Sequence, residues 1–194
     1  MRLPDDNKRR QILSTAAEMF SSQPYHKVRL DDVAAVAGVG KGTLYVYFQS
    51  KEDLYFTIIY DGLSKLVARL RSQLSADHGG AMHRLGTIVA ELVDYSFANP
   101  EFFELMKTTG LPTKQESWNT RRDEMFNLIE QTIREGIASG EFADPNPLLT
   151  ARFIPGLVRS AMFYRTDDLD PARLKAQICG LLEHGVVAPK PAQI

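Results

Sequence analysis

The chain has a single cysteine, Cys179, in 194 residues, which excludes an intrachain disulfide and any cysteine-clustered zinc site. A lone free thiol suits a reducing compartment. The histidines His26, His78, His83 and His184 are scattered, without the close helical spacing that brings two rings onto one metal, so no structural metal and no cofactor is expected. Long apolar runs are lacking too, since charges interrupt them every few residues, and the opening MRLPDDNKRR has no apolar stretch of signal-peptide type. The expectation is therefore a protein that makes no use of a membrane and stays in the cytoplasm. No segment is compositionally simple enough to imply disorder, and no internal repeat is visible.

The chain has 44% apolar and 24% charged residues, a balance typical of folded globular proteins. A net charge of −1 conceals an asymmetry. Residues 1–51 carry eight Lys or Arg against five acids, whereas the remainder carries fifteen against nineteen. The first fifty residues are the natural candidate for contact with phosphate.

Apolar spacing is helical nearly throughout, and no alternating run is long enough to require a strand, so the fold class is all-α with about nine helices. Ile12, Ala16, Met19 and Phe20 share a face of a first helix from near Asp5 to before Pro24. Leu30, Val33, Ala34 and Ala37 mark a short second helix, with Asp31 and Asp32 in its first turn, where acids favour the positive helix end. Gly38 breaks it. A third helix of barely two turns lies between Gly40 and Phe48, and Ser50-Lys51-Glu52-Asp53 then reads as a capping box opening a long fourth helix. Asn99-Pro100, Asn146-Pro147 and Asp170-Pro171 each set a capping side chain before a proline at a first helical position. They predict helices over Pro100 to about Thr108, Pro147 to Tyr164 and Pro171 to Val187. A fifth helix runs from about Ala81 to Ala98. A seventh runs from Lys114 to Ser139 and is closed by Gly140. Pro155-Gly156 should bend or unwind the eighth helix.

The link Ala37-Gly38-Val39-Gly40 is short enough to demand a helix-turn-helix crossing, which makes the third helix a reader of DNA. Leu44 and Phe48 then point into the core, and Lys41, Thr43, Tyr45 and Tyr47 point outward. Gly40 and Gly42 hold no side chain between backbone and duplex, and the free N–H groups nearby can receive a phosphate oxygen. Lys41 adds charge, Thr43 suits a base edge or thymine methyl, and the tyrosine hydroxyls suit phosphate or base. The competing reading is a solvent-facing surface helix. For Lys8, Arg9 and Arg10 two readings stand level: an arm into the minor groove, or the charged start of an exposed helix. Lys51, placed unfavourably in a first helical turn, reads as a phosphate contact against a solvated helix end.

The stretch VRLDDVAAVAGVGKGTLYVYFQSKEDLY, Val28 to Tyr55, strongly resembles the DNA-binding signature of the tetracycline-repressor (TetR) family of bacterial regulators. The resemblance implies a homodimer whose reading helices enter successive major grooves of a palindromic operator. It further implies an effector domain around the fourth to seventh helices and dimerisation through the last two. The sequence departs from the family's pattern at Arg29, where a serine or threonine is usual, and at Gly40, where serine is. Arg29 gives up a hydroxyl cap and gains a charge for phosphate or minor groove.

The expected division is thus a helix-turn-helix domain over 1–51 and a helical effector-binding and dimerisation domain over 52–194. Tyr95, Phe102, Phe103, Met106 and Trp118 read either as lining of an effector pocket or as ordinary core, and Arg122 as a partner for an anionic effector. Leu148, Val158 and Met162 of the eighth helix, with Leu174, Ile178 and Leu181 of the ninth, are expected at a two-fold four-helix interface. Phe153, Ile154, Leu157 and Ala161 lie on an adjoining face. Cys179 reads as a small apolar residue of that interface. The functional expectation is a repressor released from its operator by a small molecule, the alternative being an effector-independent or activating regulator. No nucleophile-base pair, metal spacing or phosphate loop supports an enzyme.

Overall fold

The computed structural model describes residues 6–110, 112 and 114–186. Among them the regular secondary structure is helical: α1 Asp6–Ser22, α2 Leu30–Val36, α3 Lys41–Tyr47, α4 Lys51–Ala76, α5 Ala81–Ala98, α6 Pro100–Thr109, α7 Glu116–Ala138, α8 Pro147–Phe163 and α9 Pro171–Val186, with one 3-10 turn at Tyr25–Lys27. The all-α class expected from the spacing holds. Asp5 and Val187, at the expected ends of the first and ninth helices, lie outside the described residues.

The punctuation works largely as capping chemistry predicts. Asp53 N–H donates to Ser50 Oγ at 3.0 Å, and Asp53 Oδ2 accepts from Gln49 N–H at 2.9 Å, closing the start of α4 from both sides. Asn146 Oδ1 accepts from Leu149 N–H at 3.1 Å and Asp170 Oδ1 from Arg173 N–H at 2.8 Å. Asn99 departs from this pattern, since its side chain makes no cap bond, and its backbone carbonyl instead accepts from Phe102 N–H at 3.2 Å. Gly140, at φ 78°, ends α7. Helix α7 begins at Glu116 rather than Lys114, which stands in a turn. Helix α8 runs unbroken through Pro155, so the expected unwinding is absent. One missing N–H is outweighed there by the buried row Ala151, Ile154, Val158 and Met162.

The chain forms two compact units. The first comprises residues up to Leu63 together with Asn99–Lys114. Its core holds Ile12, Ala16 and Phe20 of α1, Val33 and Ala34 of α2, Leu44 of α3, Phe48, and Leu54 and Ile59 of α4, with α6 packed along α1. Each large apolar side chain buried this way contributes roughly 1.5–3 kcal/mol. Phe20, Tyr25 and Tyr55 form an aromatic trio with ring centroids 5.4–6.0 Å apart, and Tyr55 Oη donates to the carbonyl oxygens of Leu105 and Gly110, each at 3.2 Å. The compact unit therefore extends past the functional division drawn at residues 51 and 52, because α6 packs along α1 and bonds to Tyr55 of α4.

The second unit comprises Ser64–Ala98 and the chain from Gln115 onward. Helix α5 is its centre, packed by α7, α8 and α9 and burying Leu85, Ile88, Val89, Leu92, Val93 and Tyr95. Glu141 closes the start of α5, its carboxylate accepting from Ala81 and Met82 N–H at 2.8 Å each.

Candidate nucleic-acid interface

The turn between α2 and α3 is fixed by one residue. Gly38 has φ 64°, in the left-handed region that favours glycine, and so lets the chain reverse directly after α2. Val39 N–H donates to the Ala34 carbonyl at 2.9 Å and Gly38 N–H to that of Ala35 at 3.1 Å, the paired bonds of a Schellman end. Gly40 follows in extended conformation as the residue before α3, with φ −66° and ψ 146°.

Helix α3 is too short to hold together unaided, and its packing fixes which face it exposes. Leu44 and Phe48 are fully buried, four residues apart, which turns the opposite side to solvent. Lys41, Gly42 and Tyr45 are exposed there, while Thr43 and Tyr47 are half-buried. Val46 is 73% exposed, and Val36, near the end of α2, 68%. Neither valine was singled out from the sequence. Their signal was the spacing, because Val46 falls between Tyr45 and Tyr47 and two residues from Leu44, off the buried side of the helix. The Val46 methyl groups, held in solvent on α3, have the chemistry to meet the C5-methyl of thymine.

Charge on this face is balanced within the protein. Lys41 Nζ donates to Asp31 Oδ2 of α2 at 2.9 Å, and that carboxylate raises the ammonium's pKa above its ordinary value. Arg29, the residue before α2, is exposed, and its carbonyl accepts from Asp32 and Val33 N–H at 3.1 Å each.

Lys51 is placed otherwise than expected. Its half-buried ammonium donates to the carbonyls of Tyr25 at 2.9 Å and Val28 at 3.1 Å and lies 4.3 Å from the centre of the Tyr25 ring. In the free protein Lys51 ties the start of α4 to the segment ahead of α2, so a phosphate would have to take the ammonium from these two carbonyls. Tyr25 Oη donates to Glu52 at 3.2 Å, and burial, reinforced by that carboxylate, pushes its pKa up to about 12. Of the basic trio at the start, Arg9 reaches Asp61 at 3.6 Å and Arg10 donates to Asn7 at 2.6 Å, both from within α1.

The residues expected at an effector pocket do not share one unit. Phe102, Phe103 and Met106 are core of the first unit, with the Phe102 ring against Gly62 of α4. Tyr95, Trp118 and Arg122 belong to the second. Trp118 is 3% exposed and its Nε1–H is buried without a hydrogen-bond partner among the described residues. Arg122 is partly exposed, bonded to Asp123 at 2.9 Å and lying 5.8 Å from the Phe126 ring.

The residues expected at a dimer interface divide in the same way. Val158, Met162, Leu174 and Ile178 are buried within their own chain and so are corrected to intrachain core. Leu148 and Leu181 are exposed, as are Leu149, Phe153 and Leu157, which recur every four residues along α8.

A Schellman turn between two short helices, with the second presenting lysine, tyrosine and valine from a buried Leu44–Phe48 anchor, defines a helix-turn-helix DNA-binding protein. Residues 12–58 match the bacterial regulatory proteins of the tetR family, and residues 78–186, more than half of the chain, match the tetracyclin repressor-like C-terminal domain. The chain belongs to the TetR family and is a DNA-binding transcriptional regulator. The HTH-type transcriptional regulator YfiR of Bacillus subtilis (strain 168) is 25% identical over 189 residues, spanning 92% of this chain and 88% of its own. The fatty acid metabolism regulator protein of the same organism is 25% identical over 147 residues, 73% of this chain and 74% of its own. Among solved structures, the transcriptional regulator FadR from Bacillus subtilis in complex with stearoyl-CoA shares the fold, with a TM-score of 0.78 at 20% identity over 90% of this chain and 97% of that one.

Proposed function

We propose that the protein is a repressor that binds a palindromic operator as a homodimer through α3 and is released by a small-molecule effector whose apolar part is held in its second unit. The observation that carries the DNA half is the exposed face of Lys41, Tyr45 and Val46 on a helix anchored by Leu44 and Phe48. Arg29, Gly40, Gly42, Thr43 and Tyr47 complete the surface offered to the duplex, and action is by binding, with no chemistry on the DNA. Dimerisation uses Leu149, Phe153 and Leu157 of α8 with Leu148 and Leu181, since apolar side chains in solvent at helical spacing gain by burial against a second copy.

The effector half rests on Trp118. A buried N–H without an acceptor costs about 1–3 kcal/mol, a cost that a ligand oxygen removes. Helix α4 supplies Leu54 and Ile59 to the first unit and Val67 and Leu70 to the second, so it is the continuous element through which occupancy of one biases the other. A differential affinity of about 3 kcal/mol between the two states weakens operator binding roughly a hundredfold. Long-chain acyl thioesters are the first candidates, given the fatty acid regulator among the relatives and the stearoyl-CoA bound to FadR.

Selection of bound sites from random duplex DNA tests the first half. The wild type should enrich an inverted repeat that Tyr45→Ala and Lys41→Ala lose, and a folded dimer that enriches nothing at low salt refutes it. Trp118 is the only tryptophan in the chain, so its fluorescence reads the second half directly. Stearoyl-CoA should shift the emission and release the enriched duplex, whereas ligand that binds and leaves operator affinity unchanged refutes release.

A further inference from the structure

Helix α3 is poor in the side chains that read base edges through paired hydrogen bonds. Its sequence KGTLYVY holds no arginine, asparagine, glutamine, aspartate or glutamate, and its one lysine, Lys41, has its ammonium on Asp31 at 2.9 Å. Thr43 and the tyrosine hydroxyls offer single hydrogen bonds. What α3 does present is apolar surface, with Val46 73% exposed. Val46 stands two residues, about 200°, round the helix from the fully buried Leu44, and so on the outermost line of the exposed face. Helical side chains lean over the turn N-terminal to their own Cα, which directs the Val46 methyl groups over Gly42, one turn earlier. Nothing obstructs them there, because Gly42 has no side chain and the space around its Cβ position is open. A β-branched side chain keeps largely one χ1 rotamer in a helix, so the two methyl groups are held in one direction before any DNA arrives and little freedom is lost on contact.

We infer that Val46 is a specificity residue that recognises the C5-methyl group of a thymine in the major groove, so that each half of the operator holds a thymine against Val46. Thymine alone among the DNA bases carries an apolar group on its major-groove edge. Cytosine at that place leaves the valine without a partner, and a purine sets its N7 acceptor against a side chain that has no donor to offer. The worth of the contact is that of one buried methyl group, about fourfold in affinity for each thymine and about fifteenfold for the two halves of a symmetric repeat. The contact releases no counterion, so it adds to operator binding and nothing to the electrostatic binding of other DNA.

The inference rests on α3 as the reading helix, and the test separates the two. The duplex enriched by selection is remade with each thymine of one half and its symmetry mate replaced in turn by deoxyuridine, which removes the C5-methyl and keeps every hydrogen-bonding atom. Anisotropy gives the affinity of wild type and Val46→Ala for each duplex, and for a random-sequence duplex across a salt series. Alanine removes both valine methyl groups and is the better helix former at this exposed position, so the variant should fold, which thermal unfolding checks. One symmetric pair of replacements should cost wild type about fifteenfold and Val46→Ala at most about threefold, because in the variant the thymine methyl has already lost its partner. A cytosine–guanine pair at that position should bind wild type more tightly when the cytosine carries a 5-methyl group, and Val46→Ala should not tell the two apart. The random duplex should bind both proteins equally, with one salt slope. A repeat that Tyr45→Ala loses but whose halves hold no thymine, or in which no deoxyuridine replacement distinguishes wild type from Val46→Ala, overturns the inference and leaves the reading helix standing. A folded dimer that enriches no repeat removes both.

Discussion

Replacing Gly42 by alanine separates what the fold needs at this position from what the duplex needs. Gly42 is the second residue of α3, its φ is not positive, and a Cβ built on it meets no atom within 4 Å. Nothing inside the protein requires glycine there, and alanine is the better helix former by about 0.5–1 kcal/mol. For a chain of this size that corresponds to a rise of about 1–4 °C in Tm. The same methyl projects about 1.5 Å from the backbone into the space where the duplex approaches. Losing one hydrogen bond to a charged phosphate per protomer costs about 1.5–3 kcal/mol, which is tenfold to a hundredfold in affinity for each reading helix. The variant should therefore be more stable and a weaker binder. Gly86 of α5 is the control, since it too has open space around its Cβ but sits in the second unit, so Gly86→Ala should stabilise without touching DNA affinity. Calorimetry and anisotropy on one preparation decide the matter. Unchanged operator affinity in Gly42→Ala would refute close backbone approach at this point of α3.

Lys51→Met should lower stability by about 2 kcal/mol through loss of two bonds from a charged donor, while leaving the salt slope of DNA binding unchanged; a slope reduced by about 0.9 would make Lys51 a phosphate contact instead. Asp77 accepts from Thr87 Oγ1 at 2.7 Å and Gly79 N–H at 2.9 Å, and these bonds, the first above all, hold its carboxyl below the ordinary 3.8. A depressed folded-state value means stability that is present above pH 3.8 and lost as pH falls through the lower folded value. Asp77→Asn should flatten the decline in Tm below pH 4, and an unaltered acid limb would refute the assignment. Phe153→Asp on the exposed face of α8 should weaken self-association more than a hundredfold, about 3 kcal/mol, and yield a 21.8 kDa species in sedimentation with the helical content of the wild type; an undiminished dimer would move the interface elsewhere. Arg69→Met removes the partner of Glu91, which is 6% exposed, and should cost about 2 kcal/mol, with Glu91→Leu added to it restoring most of the loss if the cost is that of an unpaired buried carboxylate.

What was legible in the sequence is what local chemistry decides. Helix existence followed from the spacing of residues such as Ile12, Ala16 and Phe20. Helix ends followed from side chains that bond within four residues, as at Ser50 and Asp53, or from a glycine at positive φ, as at Gly38 and Gly140. The exposed face of α3 was legible for the same reason. With Leu44 and Phe48 four apart and buried, the outward direction of Lys41 and Tyr45 follows without any further contact being known.

Roles set by partners distant in sequence were not legible. Lys51 is bound by carbonyls 26 and 23 residues away, and a main-chain oxygen leaves no trace in sequence that it is waiting for an ammonium. Phe102, Phe103 and Met106 carried an apolar face that would serve a cavity or a neighbouring helix equally well, and only the packing of α6 within the first unit assigns them to core. Helix α8 makes the point most sharply. Ala151, Ile154, Val158 and Met162 form one apolar row and Leu149, Phe153 and Leu157 another, and periodicity shows that two rows exist without saying which faces inward. Burial within the single chain decides between them: Ala151, Ile154, Val158 and Met162 are covered where α8 packs on α5 and α7, while Leu149, Phe153 and Leu157 stay in solvent, and which elements come to lie beside α8 is fixed by contacts far apart in sequence.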